Sequence, residues 1–209
     1  MRRLLSFHAL LVYLFLYLPI LVVVALSFNE SRRGVHFTGF TLKWYQGLFQ
    51  DPRVLEYFAN TLVVALVSTL VSTVLGTLLA LGLVRYRFPG KGFLRYLLYV
   101  PVVVPDVVMG VSLLLLFAFS RELLGFPRLS LLTVILGHIT FQVAFVTLVV
   151  RSRLLLLDPA LEEAARDLGA RGFQTFLHVT LPLAWPGVAA GALLALTLSL
   201  DAFVVTFFT

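Results

Sequence analysis

The chain has no cysteine, which excludes disulfides and thiolate metal sites and leaves the redox compartment undetermined. Charge is scarce. Only 12% of its 209 residues are Asp, Glu, Lys or Arg, about half the share of an ordinary soluble domain. Catalytic patterns are thin as well: no serine–base pairing or paired-carboxylate spacing supports nucleophilic or acid–base chemistry. Gly90-Lys91 lacks the upstream glycine of a phosphate-binding loop. The histidines His8, His36, His138 and His178 are scattered along the chain and suggest no metal site. His138 and Gln142 share a helical face and read as a packed polar pair.

What is present is apolar surface. Hydrophobic residues make up 60% of the chain, more than soluble packing can hide, so part of the solvent is lipid. Five apolar segments, at about 4–28, 58–84, 94–119, 129–150 and 183–208, each approach the roughly 20 residues needed to cross a bilayer as a helix. Backbone groups in lipid must be satisfied internally, and barrel strands would be shorter and alternate in polarity. The expectation is an all-α, polytopic transmembrane helix bundle, one domain over 1–209. The first segment follows Arg2 and Arg3, and Ala25-Leu26-Ser27 resembles a weak signal-cleavage site. Its apolar run is too long for a signal core and reads as an uncleaved anchor. The fifth segment reaches Thr209 without a polar flank, so a sixth span is expected beyond it.

The basic residues lie in short loops between apolar segments, which suits membrane topology better than nucleic-acid binding. Arg2, Arg3, Arg85, Arg87, Lys91, Arg95, Arg151, Arg153, Arg166 and Arg171 fall on one side; Arg32, Arg33, Lys43, Arg53, Arg121 and Arg128 fall on the other. The richer side is cytoplasmic by the positive-inside rule, which puts the N-terminus and the 151–182 loop inside. Within the spans, small residues recur every four positions at Ser68, Ser72, Gly76 and Ala80 and at Gly187, Gly191, Ala195 and Ser199. Such stripes let helix backbones approach closely.

The 151–182 loop carries charge and a helical rhythm. Asp158 is a good N-cap and Pro159 fits the first helical position. Leu161, Ala164, Ala165 and Leu168 then share one face, and Glu162 and Arg166 form an i,i+4 pair on another. Gly169 is the expected C-cap. A second helical piece is expected over about 172–181, stopping near Pro182. An amphipathic hairpin lying on headgroups is one reading. However, Glu162, Glu163 and Asp167 would be repelled by an anionic membrane surface, and an alanine-built face suits close contact with another protein. Docking is the better reading.

Two aspartates fall inside apolar segments. Each costs roughly 2.5–3.5 kcal/mol on insertion scales, so Asp106 and Asp201 are functional hypotheses by default. Asp106 lies ten residues past Tyr96, about 15 Å along a continuous helix and near mid-membrane. Asp201 lies seventeen past Ala184, about 26 Å and nearer the outer face. Pro101 and Pro105 should bend the third span and open carbonyls to a cavity. Each acid either satisfies a neighbouring hydroxyl, such as Ser199 or Thr197, or lines a route for a cationic solute.

Glu163-Ala164-Ala165, three residues, Gly169, nine residues, then Val179-Thr180-Leu181-Pro182 resembles the EAA loop of ABC importer permeases, with Val179 where isoleucine is frequent. Phe40-Thr41-Leu42-x-Trp44-Tyr45 and Arg87-Phe88-Pro89-Gly90-Lys91 extend the likeness. The resemblance implies a type I permease fold in a bacterial inner membrane. It also implies that this loop is a coupling helix inserting into a separate ATPase. In it Glu162, Glu163 and Asp167 supply charge, Ala164 and Ala165 pack in the partner's groove, Gly169 sets the turn, and Leu181 and Pro182 close the motif.

By the same resemblance, ATP and Mg belong to the ATPase dimer, this chain holds no cofactor, and no residue is catalytic. The other implied partners are a second permease, giving a heterodimer, and an extracytoplasmic solute-binding protein. The outer loop around Trp44 and Tyr45 is either its docking surface or a membrane-belt anchor. Pro105-Asp106-Val107 and Ser199-Leu200-Asp201 resemble the spermidine/putrescine branch, whose architecture importers of ferric ion, thiamine or sulfate share. Pro105, Asp106, Ser199 and Asp201 are accordingly the expected substrate pathway. The rival readings are an ion-coupled secondary transporter and a membrane scaffold, neither of which needs the EAA spacing.

Overall fold

The computed structural model describes residues 2–31 and 36–209, with side chains from residue 4 onward in the first helix. Of the topology charges, Arg32, Arg33 and the side chains of Arg2 and Arg3 lie outside the described residues. Five helices among the described residues are long and apolar enough to cross a membrane: Leu4–Ser27, Pro52–Arg85, Asp106–Leu124, Leu131–Leu155 and Gly172–Asp201. Two compact units divide the chain, Met1–Phe58 and Ala59–Thr209.

The first unit holds α1 (Arg2–Ser27), α2 (Lys43–Gln50) and the start of α3 (Pro52–Arg85). The side chains of α1 from Leu4 to Val24 stay exposed, as befits a helix whose solvent is hydrocarbon. The segment that follows it is organised around one side chain, Asn29, which is fully buried. Its Oδ1 accepts from Thr38 N at 2.9 Å and Thr38 Oγ1 at 3.2 Å, and its Nδ2 donates to His36 O at 2.6 Å. Trp44 Nε1 donates to Asn29 O at 2.9 Å. Phe28 stacks on both Phe40 and Tyr45, with ring centroids 5.4 Å apart in each pair. The Trp44-Tyr45 pair therefore braces this segment internally.

In the second unit, α7 (Leu131–Leu155) is the centre of packing, with half of its apolar window buried. It runs five residues beyond the expected end, because Arg151 and Arg153 are good helix formers and do not break a helix. Arg153 Nε donates to Leu183 O at 3.1 Å, fixing this end of α7 to α10 (Leu181–Asp201). Both stripes of small residues are buried, and Val146 of α7 lies between them. A Cβ added at Gly76 would fall 2.7 Å from Val146 Cβ, closer than packed carbons come. Small residues on α3 and α10 are what permit these approaches in a solvent that supplies no hydrophobic drive between helices.

The expected third span is not one helix. It comprises α4 (Lys91–Leu97), α5 (Val100–Val103) and α6 (Asp106–Leu124). Pro105 pushes Val104 into an extended conformation, ψ 131°, and the chain breaks there before α6 begins. Asp106 is consequently the first residue of α6, and the 15 Å expected between it and Tyr96 along a continuous helix does not apply.

The last span also departs from expectation. Gly172–Thr175 (α9) leads into a wide π-turn, Phe176–Thr180, and on into α10. The second helical piece therefore does not stop near Pro182. Pro182 cannot donate a backbone hydrogen bond. The turn before it absorbs the mismatch by spacing donor and acceptor five residues apart, Leu181 N to Phe176 O. The helix ends instead at Asp201. After Ala202 (φ −76°, ψ 68°) a short α11 (Phe203–Phe208) packs on α6 through Val205, Leu113 and Phe117.

Candidate functional site

The charged loop between α7 and α10 folds as a helix, a tight turn and a second helix. The first, α8, is Ala160–Asp167. Asp158 Oδ1 accepts from Ala160 N at 3.0 Å, so the expected cap is present, while Pro159 stands just ahead of the helix rather than inside it. Gly169 has φ +90°, a conformation that L side chains adopt only with strain. Gly169 N bonds to Arg166 O at 2.9 Å and Ala170 N to Ala165 O at 3.0 Å, which together make a Schellman cap.

The apolar face expected on α8 is left mostly uncovered by the described residues. Leu161, Ala164 and Leu168 are exposed, Leu168 at 90%, and Ala165 is half-buried. Glu163 and Asp167 are exposed beside them. A groove of about 480 Å³ runs along Ala165, Gly169, Ala170, His178 and Val179, three of which are EAA positions. Leu181 packs partly into the core and Pro182 is exposed.

Glu162 differs from its neighbour. It is 8% exposed, and its stronger partner is Arg85 at the end of α3, not Arg166. Arg85 Nε donates to Glu162 Oε1 at 3.1 Å, and Nη2 lies 2.9 Å from the same oxygen, close but poorly aligned for a hydrogen bond. Thr180 Oγ1 donates to that oxygen too, at 2.9 Å. Arg166 stays 4.0 Å from Oε2 and is mostly exposed. Glu162 is thus turned into the fold, against Arg85 and Thr180, while Glu163 is exposed.

In the spans, Asp106 and Asp201 are both exposed. Among the described residues, neither carboxylate has a hydrogen bond or ion pair. Asp106 lies in the first turn of α6, where free N–H groups and the helix dipole favour an anion. Pro105 is exposed beside it. Asp201 ends α10 at the kink before α11. The hydroxyls offered as their partners are engaged elsewhere: Thr197 Oγ1 donates to Leu193 O at 2.9 Å, and Ser199 is buried in a separate cluster.

That cluster joins four helices, α3, α7, α10 and α11. Ser199 Oγ lies 2.7 Å from His138 Nδ1 and 3.3 Å from Ser68 Oγ, and Gln142 Nε2 donates to Ser68 Oγ at 3.2 Å. Thr206 Oγ1 gives its one proton to Ala202 O, so His138 Nε2 is the donor in its 2.9 Å contact with Thr206. The His138–Gln142 pair is packed as its spacing implied. What sequence reasoning missed is that it meets both stripes of small residues and braces the kink beside Asp201. The only signal was the coincidence of polar residues at buried stripe positions. Among the described residues, no three His, Asp or Glu side chains gather as a metal site.

Apolar spans, one of them broken at a proline–aspartate step, with a charged helix–turn–helix displayed between two of them, define a polytopic membrane protein with a candidate docking loop. A model for binding-protein-dependent transport system inner membrane components matches residues 72–209. The chain is 43% identical to the spermidine/putrescine transport system permease protein PotC of Escherichia coli K12, over 94% of this chain and 73% of that protein. It is 40% identical to the putrescine transport system permease protein PotI of the same organism, over 95% of this chain and 72% of that protein. Its fold matches that of a bacterial ABC transporter involved in the import of the acidic polysaccharide alginate. The TM-score is 0.73 at 19% identity, covering 96% of this chain and 74% of that one. The chain belongs to the binding-protein-dependent transport system inner membrane components, the permeases of ABC importers.

Proposed function

We propose that this permease carries polyamines, spermidine or putrescine, across the bacterial inner membrane, with its N-terminus in the cytoplasm. The observation that carries the reading is the pair of span carboxylates, Asp106 and Asp201, that have no partner among the described residues. An unpaired acid in a membrane span suits a cationic cargo and opposes an oxyanion such as sulfate. The identities to PotC and PotI over nearly the whole chain support the same choice. Pro105 opens the helix at Asp106, and Ser199, held by His138, shapes the wall beside Asp201. The route through the membrane runs past these four residues.

Energy comes from a separate ATPase dimer that holds ATP and Mg; this chain binds neither. The loop from Ala160 to Val179 docks on it through Glu163, Ala164, Ala165, Asp167 and Gly169, and Leu181 and Pro182 continue into the span. A second permease subunit completes the pathway as a heterodimer. A solute-binding protein delivers cargo on the opposite side, at the segment braced by Asn29 and Trp44.

Uptake of labelled spermidine by the complete importer in proteoliposomes tests the reading. Unlabelled putrescine should compete and sulfate should not. The variants Asp106→Asn and Asp201→Asn should each lower uptake while the ATPase still co-purifies. Competition by sulfate, or uptake untouched in both variants, would overturn the cationic route.

A further inference from the structure

Three structural elements meet on one carboxylate oxygen. Arg85 is the last residue of the α3 span, Glu162 belongs to the loop helix α8, and Thr180 is the last residue of the π-turn that opens α10. Arg85 Nε, Arg85 Nη2 and Thr180 Oγ1 all lie within 3.1 Å of Glu162 Oε1. The side chains of the ion pair are 19% and 10% exposed, so water competes little for them. The adjacent Glu163 faces outward. Two neighbouring acids thus split their work, one toward a partner and one into the fold.

The mechanical consequence follows from how little else holds α8. At eight residues it is too short to be stable alone. Most of its apolar face is exposed, with only Ala165 half-buried toward the following turn, so packing fixes its direction weakly. The buried ion pair fixes it, because displacing either charge from the other leaves an uncompensated buried ion. The third member, Thr180, sits in a π-turn, a widened stretch that differs from the α-helix by one residue of register and recurs at functional sites. A shift of α8 is therefore delivered through one oxygen atom both to the end of α3 and to the turn that sets the register of α10.

We infer that Arg85, Glu162 and Thr180 form a clasp of positioning residues that converts movement of the docking helix into rearrangement of the spans. The clasp sets how much solute moves per ATP hydrolysed on the partner, and it does not itself touch that partner. The inference rests on the reading of α8 as the element that docks on the ATPase.

The test uses the complete importer in proteoliposomes and reads three quantities: ATPase retained on purification, hydrolysis rate, and spermidine taken up per ATP. In Arg85→Gln and in the near-isosteric Thr180→Val, retention and hydrolysis should persist. Uptake per ATP should fall about fivefold or more, the lower range of coupling between linked sites. Arg85→Lys, which keeps the charge, should recover part of the loss. The exchange Arg85→Glu with Glu162→Arg should couple better than either single reversal. A purely structural role would lower the amount or melting temperature of the complex and leave uptake per ATP unchanged, and that result overturns the clasp. Loss of ATPase from both Arg85→Gln and Thr180→Val also overturns it, because the three residues would then belong to the docking contact. If wild type itself retains no ATPase, the docking reading fails and takes the clasp with it. That outcome is told apart by the wild-type lane alone.

Discussion

Gly169 shows how a single backbone angle governs the turn that ends α8. Its φ of +90° lets the chain reverse after α8 and close the Schellman bonds at Arg166 and Ala165. No atom stands within 4 Å of where a Cβ would go, so Gly169→Ala meets no clash, only the left-handed strain of about 1–2 kcal/mol. The loop should respond by reopening its turn. The expected outcome is a melting temperature close to wild type in detergent but reduced ATPase retention. Retention equal to wild type would mean that the turn is not part of the docking surface. Gly169 was legible in the sequence because a glycine ending an apolar helical rhythm has a local cause. Glu162 was not, because its partner Arg85 lies 77 residues away and its local partner Arg166 satisfies the i,i+4 rule on paper. Spacing along a helix names who can meet, and burial decides who does.

At the scale of elements, the stripes of small residues make a packing prediction with a sign. Gly76→Ala places a methyl 2.7 Å from Val146 Cβ and Cγ1 and 3.1 Å from Thr147 N. Overpacking of this kind costs roughly 1–3 kcal/mol. Val146→Ala alone should destabilise by leaving space, yet in the double variant it should recover part of the Gly76→Ala loss. Thermal melting of the four proteins in one detergent reads the cycle. Simple additivity of the two losses would place the contact elsewhere. The stripes were readable because a period of four is written in one segment of chain. A disturbance at Pro105 was readable for the same local reason, but only as a bend; the separation into α4, α5 and α6 was not. The helix running through Pro182 was not, since a proline normally marks an end and only the π-turn at Phe176–Thr180 lets the helix continue. Likewise Ser68, His138 and Ser199 are separated by 61 to 131 residues, and only the fold brings them to one place.

Across the whole molecule, the proposal of a cationic cargo rests on where charge is left without a partner. Where the bundle buries ionisable groups it gives them partners: His138 is bonded on both ring nitrogens, and Glu162 is paired with Arg85, although hydroxyls such as Ser72 and Thr77 stay without one. Asp106 and Asp201, in contrast, are exposed and have no partner among the described residues. Attraction between a fixed carboxylate and a solute scales with the solute's charge; at about 4 Å and an effective dielectric near 20, one pair of unit charges is worth roughly 4 kcal/mol before desolvation. Removing one carboxylate must therefore weaken a trivalent polyamine more than a divalent one, provided that both travel the same route. Asp201→Asn should lower the uptake of spermidine by a larger factor than that of putrescine, with hydrolysis on the partner ATPase as the internal control. An equal fall for both cargoes would mean that Asp201 holds the shape of the kink at Ala202 rather than contacting the amines. A larger fall for putrescine would mean that the second acid, Asp106, carries the discrimination. The same measurement on Asp106→Asn then assigns each carboxylate its share, because two acids on different helices contribute independently unless one solute spans both.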